Sequence, residues 1–159
     1  MYSKKTLQHF RSPHNYGEIK NPDGVGESGN ICCGEVMALY VNRKKIGKKD
    51  SVIDQVKFKT YGCAAAIATS SAITDLVKGK TIEEALKISK NDIIEFLEGL
   101  PPIKIHCSLL AIDALDEAIY EYLMNQKKEI PLDLQKKHER ITRSRKQIEK
   151  RYKKWMSKK

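Results

Sequence analysis

The chain has 159 residues, about the size of one domain, and a net charge of +10 that is unevenly distributed: residues 1–126 hold 16 basic and 16 acidic residues, whereas residues 127–159 hold 14 and 4. No N-terminal apolar stretch resembles a signal peptide and no run approaches the roughly 20 apolar residues of a membrane span, which predicts a cytoplasmic protein without a membrane partner. The four cysteines are then expected to stay reduced and to act as ligands, nucleophiles or core residues, not as disulfides.

The first part of the chain predicts a short helix and then a glycine-rich segment. Ser3 can cap a helix that runs through Phe10 and ends before Pro13, because the residue before a proline avoids helical geometry. Residues 21–30 include three glycines and predict a loop or an irregular edge strand, since glycine weakens the interior of helices and strands.

Two strand-like segments follow. Residues 36–41 and 52–61 are rich in β-branched and aromatic residues, which favour a pleated backbone. The polar connection 43–50 suits a hairpin with a long turn, so a small antiparallel sheet of about three strands is predicted.

The pattern then becomes helical. A first helix is predicted to begin at Ala64. Thr81 and Glu84 are expected to form the capping box of a second helix, and Asn91 is expected to cap a third. Residues 108–124 predict a long amphipathic helix that packs on the sheet. Its expected buried face consists of Leu109, Ile112, Leu115, Ile119, Tyr122 and Leu123. Strands first and helices afterwards predict an α+β fold with helices packed on one face of the sheet.

Three cysteines carry most of the chemical information. Cys33, Cys63 and Cys107 each lie beside a glycine or at the predicted first turn of a helix, where free N–H groups and the helix dipole favour a thiolate. A single cysteine is most often a core residue, but three at the starts of elements favour a shared metal site formed by folding. Zinc bound structurally is one occupant that this donor set would accept.

Three short motifs surround these cysteines. They are Cys-Gly-Glu at 33–35, Tyr-Gly-Cys-Ala at 61–64 and Leu-Pro-Pro-Ile-Lys-Ile-His-Cys at 100–107. Together, in this order and spacing, they resemble the IscU-type (NifU N-terminal-like) iron-sulfur cluster scaffold family. The resemblance covers roughly residues 2–124 and does not extend to the tail.

The resemblance implies a scaffold and carrier, not a turnover enzyme. Such a protein binds iron, accepts sulfur from a cysteine desulfurase, builds a labile 2Fe-2S cluster and transfers it to recipient apoproteins. By this resemblance Cys33, Cys63 and Cys107 are the cluster ligands, and Cys107 is the persulfide acceptor. His106 is a candidate for the fourth ligand. Clusters usually take four thiolates, so incomplete thiolate ligation favours release, and zinc can collect in the same site.

Two residues depart from the family pattern. The family usually has aspartate where this chain has Glu35, which keeps the charge of a ligand or lability switch but moves it by one methylene. Cys32 is an auxiliary ligand, an alternative persulfide site or a small residue that faces the sheet, and strand alternation favours the last of these. A second subunit of a homo-oligomer is a further source for the missing ligand.

Other matching positions suggest partners. Lys104 is either a solvated lysine or a part of the active region that stabilises thiolate charge. The segment Leu100–Lys104 resembles the one that the family presents to an Hsp70-type chaperone and its co-chaperone, and its prolines favour an extended, exposed conformation. Tyr2 resembles a near-terminal tyrosine that is linked in the family to dimer formation.

The charge shift predicts two parts, a scaffold domain over residues 1–126 and a basic, helical extension over residues 127–159. A helix in the extension would carry a narrow stripe that either packs on the domain or stays largely solvated. The stripe consists of Leu134, His138, Ile141, Arg145, Ile148, Tyr152 and Trp155. A nucleic-acid-binding module driven by the tail is an alternative function, although nucleic acid is not the expected partner.

Overall fold

A computed structural model describes residues 1–30, 34–46 and 50–156 of the chain. The side chains at positions 30, 50, 152 and 154–156 lie outside this description. In the described part, a three-stranded sheet is followed by a run of helices, and none of these helices is both long and apolar enough to cross a bilayer.

The sheet is antiparallel with its second strand in the middle, as predicted. The strands are β1 (Gly24–Asn30), β2 (Glu35–Ile46) and β3 (Asp50–Tyr61). The glycine-rich stretch is therefore an edge strand. The predicted connection 43–50 is wrong at its start, because residues 43–46 continue the pairing with β3 beyond an irregularity between Asn42 and Arg43. The remaining connection, residues 47–49, lies outside the described residues.

The helices begin largely where capping chemistry predicts. They are α1 (Lys4–Arg11), α2 (Ala64–Val77), α3 (Ile82–Leu86), α4 (Lys90–Phe96), a 3₁₀ helix (Pro102–Lys104), α5 (Ile105–Asn125) and α6 (Leu132–Met156). The Ser3 hydroxyl accepts the Thr6 backbone N–H at 3.0 Å, which confirms the cap of α1. The capping box of Thr81 and Glu84 is also present at α3.

The predicted cap of α4 is wrong by two residues. Ser89, not Asn91, is the N-cap: its hydroxyl accepts the Asp92 N–H at 3.4 Å, and the Asp92 carboxylate accepts the Ser89 N–H at 2.7 Å. Both residues can cap a helix, but only Ser89 has an acidic side chain three positions later to complete the reciprocal pair.

Helix α5 begins three residues earlier than predicted, so His106 and Cys107 lie in its first turn. Of the predicted buried face, Leu115 and Ile119 are buried as expected. Leu109 is 45% exposed, and its prediction as a core residue is wrong.

One face of the sheet forms the core, which confirms the predicted layer arrangement. Alternate residues of β2 point into it, namely Glu35, Met37, Leu39 and Val41, all at most 2% exposed. Helix α5 packs on β1 and β2, while α2 packs on β3. Since successive side chains of a strand point to opposite faces, the same register that buries Leu39 also places the Glu35 carboxylate under the helices.

Two glycines allow β1 to lie directly against α5. A Cβ atom added to Gly26 would lie 1.9 Å from the Ala114 carbonyl oxygen, and one added to Gly24 would lie 2.2 Å from that of Ala118. The glycines therefore provide close backbone approach, the role that sequence alone could not separate from a loop.

The C-terminal extension packs on the domain through part of its predicted stripe. Leu134 and Ile141 are 3% and 6% exposed. Three side chains of α6 contact carboxylates of α5. The nitrogen–oxygen distances are 3.1 Å for Lys137–Asp116, 2.8 Å for His138–Glu117 and 2.8 Å for Arg140–Asp113. Burial raises the pKa of Asp116 and Lys137 opposes that shift, so the pair holds a carboxylate that would otherwise be costly to bury.

The Gly26 contact gives a prediction for stability. Gly26→Ala should lower the free energy of unfolding by about 3 kcal/mol, because the added methyl group forces β1 and α5 apart. Urea unfolding followed by circular dichroism measures this change. The matched control is Gly29→Ala in the same strand, where the new Cβ would meet Glu35 O at 3.4 Å. Equal losses in the two variants would contradict the proposed reason for Gly26.

Candidate metal centre

Four of the predicted site residues meet at one end of the sheet. Glu35 begins β2 on its buried face, Cys63 is the N-cap of α2, and His106 and Cys107 lie in the first turn of α5. Cys107 is 1% exposed, the Glu35 side chain is 3% exposed, and the His106 side chain is 28% exposed. The site is therefore deep on its Cys107 side and open on its His106 side.

The ligand atoms lie within a few ångströms of one another. The sulfurs of Cys63 and Cys107 are 3.9 Å apart. The Cys107 sulfur is 3.5 Å from Glu35 Oε2 and 3.6 Å from His106 Nε2, and those two atoms are 3.3 Å apart. Residues far apart in sequence are thus brought together, as the metal-site hypothesis requires.

These distances match the edges of a tetrahedral coordination shell. With metal–sulfur bonds of about 2.3 Å and metal–nitrogen or metal–oxygen bonds of about 2.05 Å, ligand atoms are about 3.8 Å apart for two sulfurs, about 3.6 Å for sulfur with nitrogen or oxygen, and about 3.3 Å for nitrogen with oxygen. A single ion can therefore contact Glu35, His106 and Cys107 together with little rearrangement. The mixed sulfur, nitrogen and oxygen set is one that both iron and zinc accept.

The negative charges of the ionised side chains explain why this pocket favours the binding of a cation. Burial raises the pKa of the Cys107 thiol well above its ordinary value, and the nearby Cys63 and Glu35 raise it further. The prediction that a helix start favours a Cys107 thiolate is therefore opposed by desolvation. A bound cation would reverse this balance, because it stabilises each anionic ligand that it contacts.

Lys104 lies beside Cys63. The charge of Cys63 is the largest cause that raises the pKa of Lys104, and a hydrogen bond between the two side chains adds to it. This agrees with the predicted position of Lys104 beside a thiolate, and its role there stays a prediction.

Polar contacts fix the start of α5 against α2. The Thr69 hydroxyl of α2 lies 3.2 Å from the Cys107 carbonyl oxygen. Gly62, before Cys63, leaves room for the acidic side chain, since an added Cβ would lie 3.1 Å from Glu35 Cγ and 2.7 Å from Ala66 Cβ. Sequence reasoning missed Thr69 and gave Gly62 no packing role, because neither residue carries metal-binding chemistry.

The N-terminus reaches the same site. The Ser3 and Thr6 hydroxyls contact the Leu97 carbonyl oxygen, and these contacts place α1 beside the segment before α5. Tyr2 then packs beside Cys63 and Cys107, and burial, followed by the charge of Cys63, raises the pKa of its phenol. The structure thus brings Tyr2 to the metal centre, and its predicted link to dimer formation stays a prediction.

Cys32 and Cys33 lie outside the described residues. The prediction of Cys33 as the third cysteine ligand, and the alternatives for Cys32, therefore stay predictions. In sequence they lie between Asn30 of β1 and Glu35 of β2, which form a pair across the sheet.

The segment Leu100–Lys104 is extended only in part. Pro101 has extended backbone angles, but residues 102–104 form a 3₁₀ turn that leads directly into α5, so a fully extended segment was the wrong expectation. Ile103 at the centre of the turn is 78% exposed.

Exposed apolar side chains lie close in sequence to the residues of the metal centre, a feature that sequence patterning missed. The set consists of Val36, Tyr61, Ile103 and Leu109, which are 45–84% exposed. Each is adjacent in sequence to the site or within three residues of a site residue. Large exposed apolar side chains grouped in this way are typical of a protein interaction surface.

The comparisons with known proteins decide the family. Residues 1–129 match the family model described as NifU-like N terminal domain. The chain belongs to this family. The predicted family is therefore confirmed, and the match ends close to the predicted start of the extension.

Individual relatives agree with this assignment. Iron-sulfur cluster assembly scaffold protein IscU 1 of Archaeoglobus fulgidus is 53% identical over 122 residues, which are 77% of this chain and 76% of that protein. Iron-sulfur cluster assembly scaffold protein IscU of Escherichia coli K12 is 47% identical over 124 residues, or 76% and 93% of the two chains. A crystal structure of a nitrogen-fixing NifU-like protein (N-terminal) from Brucella abortus shares the fold with a TM-score of 0.61, at 19% identity and over 77% and 94% of the chains.

The charge coupling in the pocket gives a second prediction. Glu35→Gln should lower the pKa of Cys107, because one of the negative charges that disfavour its thiolate is removed. The measurement is the pH midpoint of iodoacetamide modification at Cys107, read by peptide mass spectrometry. Glu27→Gln, at an exposed position on β1, is the control and should leave the midpoint unchanged. An unaltered midpoint in Glu35→Gln would show that the carboxylate does not control this thiol.

Proposed function

We propose that this protein is a scaffold on which an iron-sulfur cluster is assembled and from which it is transferred. The observation that carries the proposal is the convergence of Glu35, His106 and Cys107 on the position of one shared ion, with the Cys63 sulfur 3.9 Å from that of Cys107. The names of the family relatives support it, since they are scaffold proteins for cluster assembly. These names describe binding and carrying and not catalytic turnover.

The cluster that we propose is 2Fe-2S. Cys33, Cys63 and Cys107 would supply its thiolates, and Glu35 or His106 would complete the shell. Because clusters bound by four thiolates are the stable norm, a carboxylate or imidazole in place of one thiolate weakens the hold on the cluster. The open His106 side of the pocket gives the cluster a route out.

Sulfur would arrive as a persulfide on a cysteine desulfurase. In the proposed step the Cys107 thiolate attacks the outer sulfur of that persulfide, a new S–S bond forms on Cys107, and the donor cysteine leaves as a thiolate. Since Cys107 is 1% exposed, this attack needs a local opening between α2 and α5. Lys104, beside Cys63, is positioned to stabilise the negative charge during the transfer.

Partner proteins would dock around the metal centre. The exposed side chains of Val36, Tyr61, Ile103 and Leu109 offer apolar contacts next to the opening of the pocket. We assign this surface to the desulfurase and to recipient apoproteins, and the protruding turn Leu100–Lys104 to an Hsp70-type chaperone and its co-chaperone. A homo-oligomer and a cytoplasmic location stay predictions.

The other two functions have less support. The centre would accept zinc, but the family relatives are named for cluster assembly, so zinc is better viewed as an alternative occupant of the same ligands. A nucleic-acid role is weakened by α6 itself, because several of its polar side chains are engaged with α5 carboxylates.

The proposed ligand set gives a direct test. Cys63→Ser should abolish stable cluster binding while the protein stays folded, because it removes a thiolate from a shell that already lacks one. The measurement is visible absorption after anaerobic reconstitution with desulfurase, cysteine and ferrous iron. Cys32→Ser is the matched control and should retain the cluster. Unchanged cluster yield in Cys63→Ser would contradict the proposed function.

The proposed division into domain 1–126 and extension 127–159 gives a separate test. Removal of residues 127–159 should leave cluster assembly intact and lower the free energy of unfolding by about 3 kcal/mol, since the buried Leu134 and Ile141 side chains are lost. Cluster yield and urea unfolding measure the two effects. If the truncated chain folds but assembles no cluster, α6 is part of the scaffold and the proposed boundary is wrong.

A further inference from the structure

A second group of potential metal ligands lies away from the metal centre at Cys63 and Cys107, which is the proposed cluster centre. It consists of His9 near the end of α1, His14 in the turn after α1, and Asp75 in the last turn of α2. One ring nitrogen of each histidine and one carboxylate oxygen of Asp75 all lie within 4.8 Å of one another. Cys63 caps the opposite end of α2, so the two groups are separated by about 18 Å at the helical rise of about 1.5 Å per residue.

The burial of the three side chains suits a site that opens to solvent. His9 is 3% exposed and rigidly placed, with its ring against the edge of Phe96. The side chains of His14 and Asp75 are 47% and 28% exposed. One ligand is therefore fixed by the core, while the other two are free to adjust by the ångström or so that metal bonds require.

The surrounding hydrogen bonds hold these side chains in the manner of a metal site. The Ser71 hydroxyl lies 2.8 Å from His9 Nδ1 and accepts the His14 backbone N–H at 2.8 Å. Asn15 donates to Asp75 Oδ1 at 3.3 Å. Metal-ligating histidines and carboxylates almost always have such outer partners, which fix the ring orientation and the tautomer.

We propose that His9, His14 and Asp75 form a second metal site, which binds a divalent transition ion such as Zn²⁺ or Co²⁺. Two imidazoles and one carboxylate are a donor set that these ions prefer, and water would complete the shell on the solvent side. The close pair His14 Nδ1–Asp75 Oδ2, at 2.6 Å, opens to admit the ion between its two members. The site contains no cysteine, so it differs from the cluster centre in its ligand chemistry.

The ion at this site would tie the N-terminal segment to α2. His9 and His14 belong to the segment that carries Tyr2 to the cluster centre, and Asp75 belongs to the helix that Cys63 caps. A bound ion therefore stabilises the packing of α1 on α2 without contacting the cluster.

The test uses the full chain with all four cysteines (Cys32, Cys33, Cys63 and Cys107) changed to serine, so that thiolate binding is removed, and Co²⁺ as the probe. The expected result is one equivalent of Co²⁺ with d–d absorption bands and no sulfur-to-cobalt charge transfer. His14→Ala and Asp75→Asn in this background should each weaken binding at least tenfold. Absence of Co²⁺ binding in the cysteine-free chain would overturn the proposal.

His138→Gln provides the matched control. His138 also pairs with a carboxylate, Glu117 at 2.8 Å, but among the described residues that pair belongs to no three-ligand group. This variant should bind Co²⁺ as the cysteine-free parent does. Equal weakening in His138→Gln and His14→Ala would assign the binding to unspecific histidine contacts and overturn the site.

A second measurement covers the case in which the cysteine-free chain does not fold. The unaltered protein is first saturated with zinc at the cluster centre, and the ¹⁵N signals of the histidine rings are then followed as more Zn²⁺ is added. We expect the ring signals of His9 and His14 to shift together while that of His138 does not. Unmoved His9 and His14 signals would overturn the proposal.

Discussion

The metal centre depends on one electrostatic constraint, the crowding of groups that become anions into one partly buried pocket. Cys63, Cys107 and Glu35 meet where the sheet ends, and burial raises the pKa of Cys107 while its neighbours raise it further. In water such groups would ionise independently. In the pocket, each negative charge disfavours the ionisation of its neighbours. A cation bound among them offsets this repulsion, so the pocket favours the binding of a positively charged species.

The fold maintains this crowding through close backbone contacts. Gly26 lets β1 lie on α5 without an intervening side chain, and Thr69 joins α2 to the first turn of α5. Gly62 leaves the space that the longer Glu35 side chain occupies. Because the candidate ligands come from the starts of three different elements, any shift between those elements would alter the distances between their side chains. The site is therefore a product of the packing of the whole domain.

The C-terminal extension adds a layer to this arrangement without supplying a ligand from its described side chains. Helix α6 covers the carboxylates of α5 that face away from the sheet, and Tyr120 stacks on His138 with ring centroids 3.7 Å apart. An acidic helix face that would otherwise be solvated is thus neutralised by a basic segment of the same chain. Among the described cations of the extension, Lys137 and Arg140 form these pairs with α5 carboxylates.

The sequence by itself determined the features that depend on neighbouring residues. The cap at Ser3 and the capping box of Thr81 and Glu84 follow from short-range chemistry, and the cysteine motifs were enough to indicate the family. Tertiary structure decided what depends on distant residues: the exposure of Leu109, the reason for Gly26, the meeting of Glu35 with His106, and the opposition of burial to a Cys107 thiolate. The physical reason is that capping and helical periodicity act within a few residues, whereas burial and charge coupling arise only when separate elements pack together.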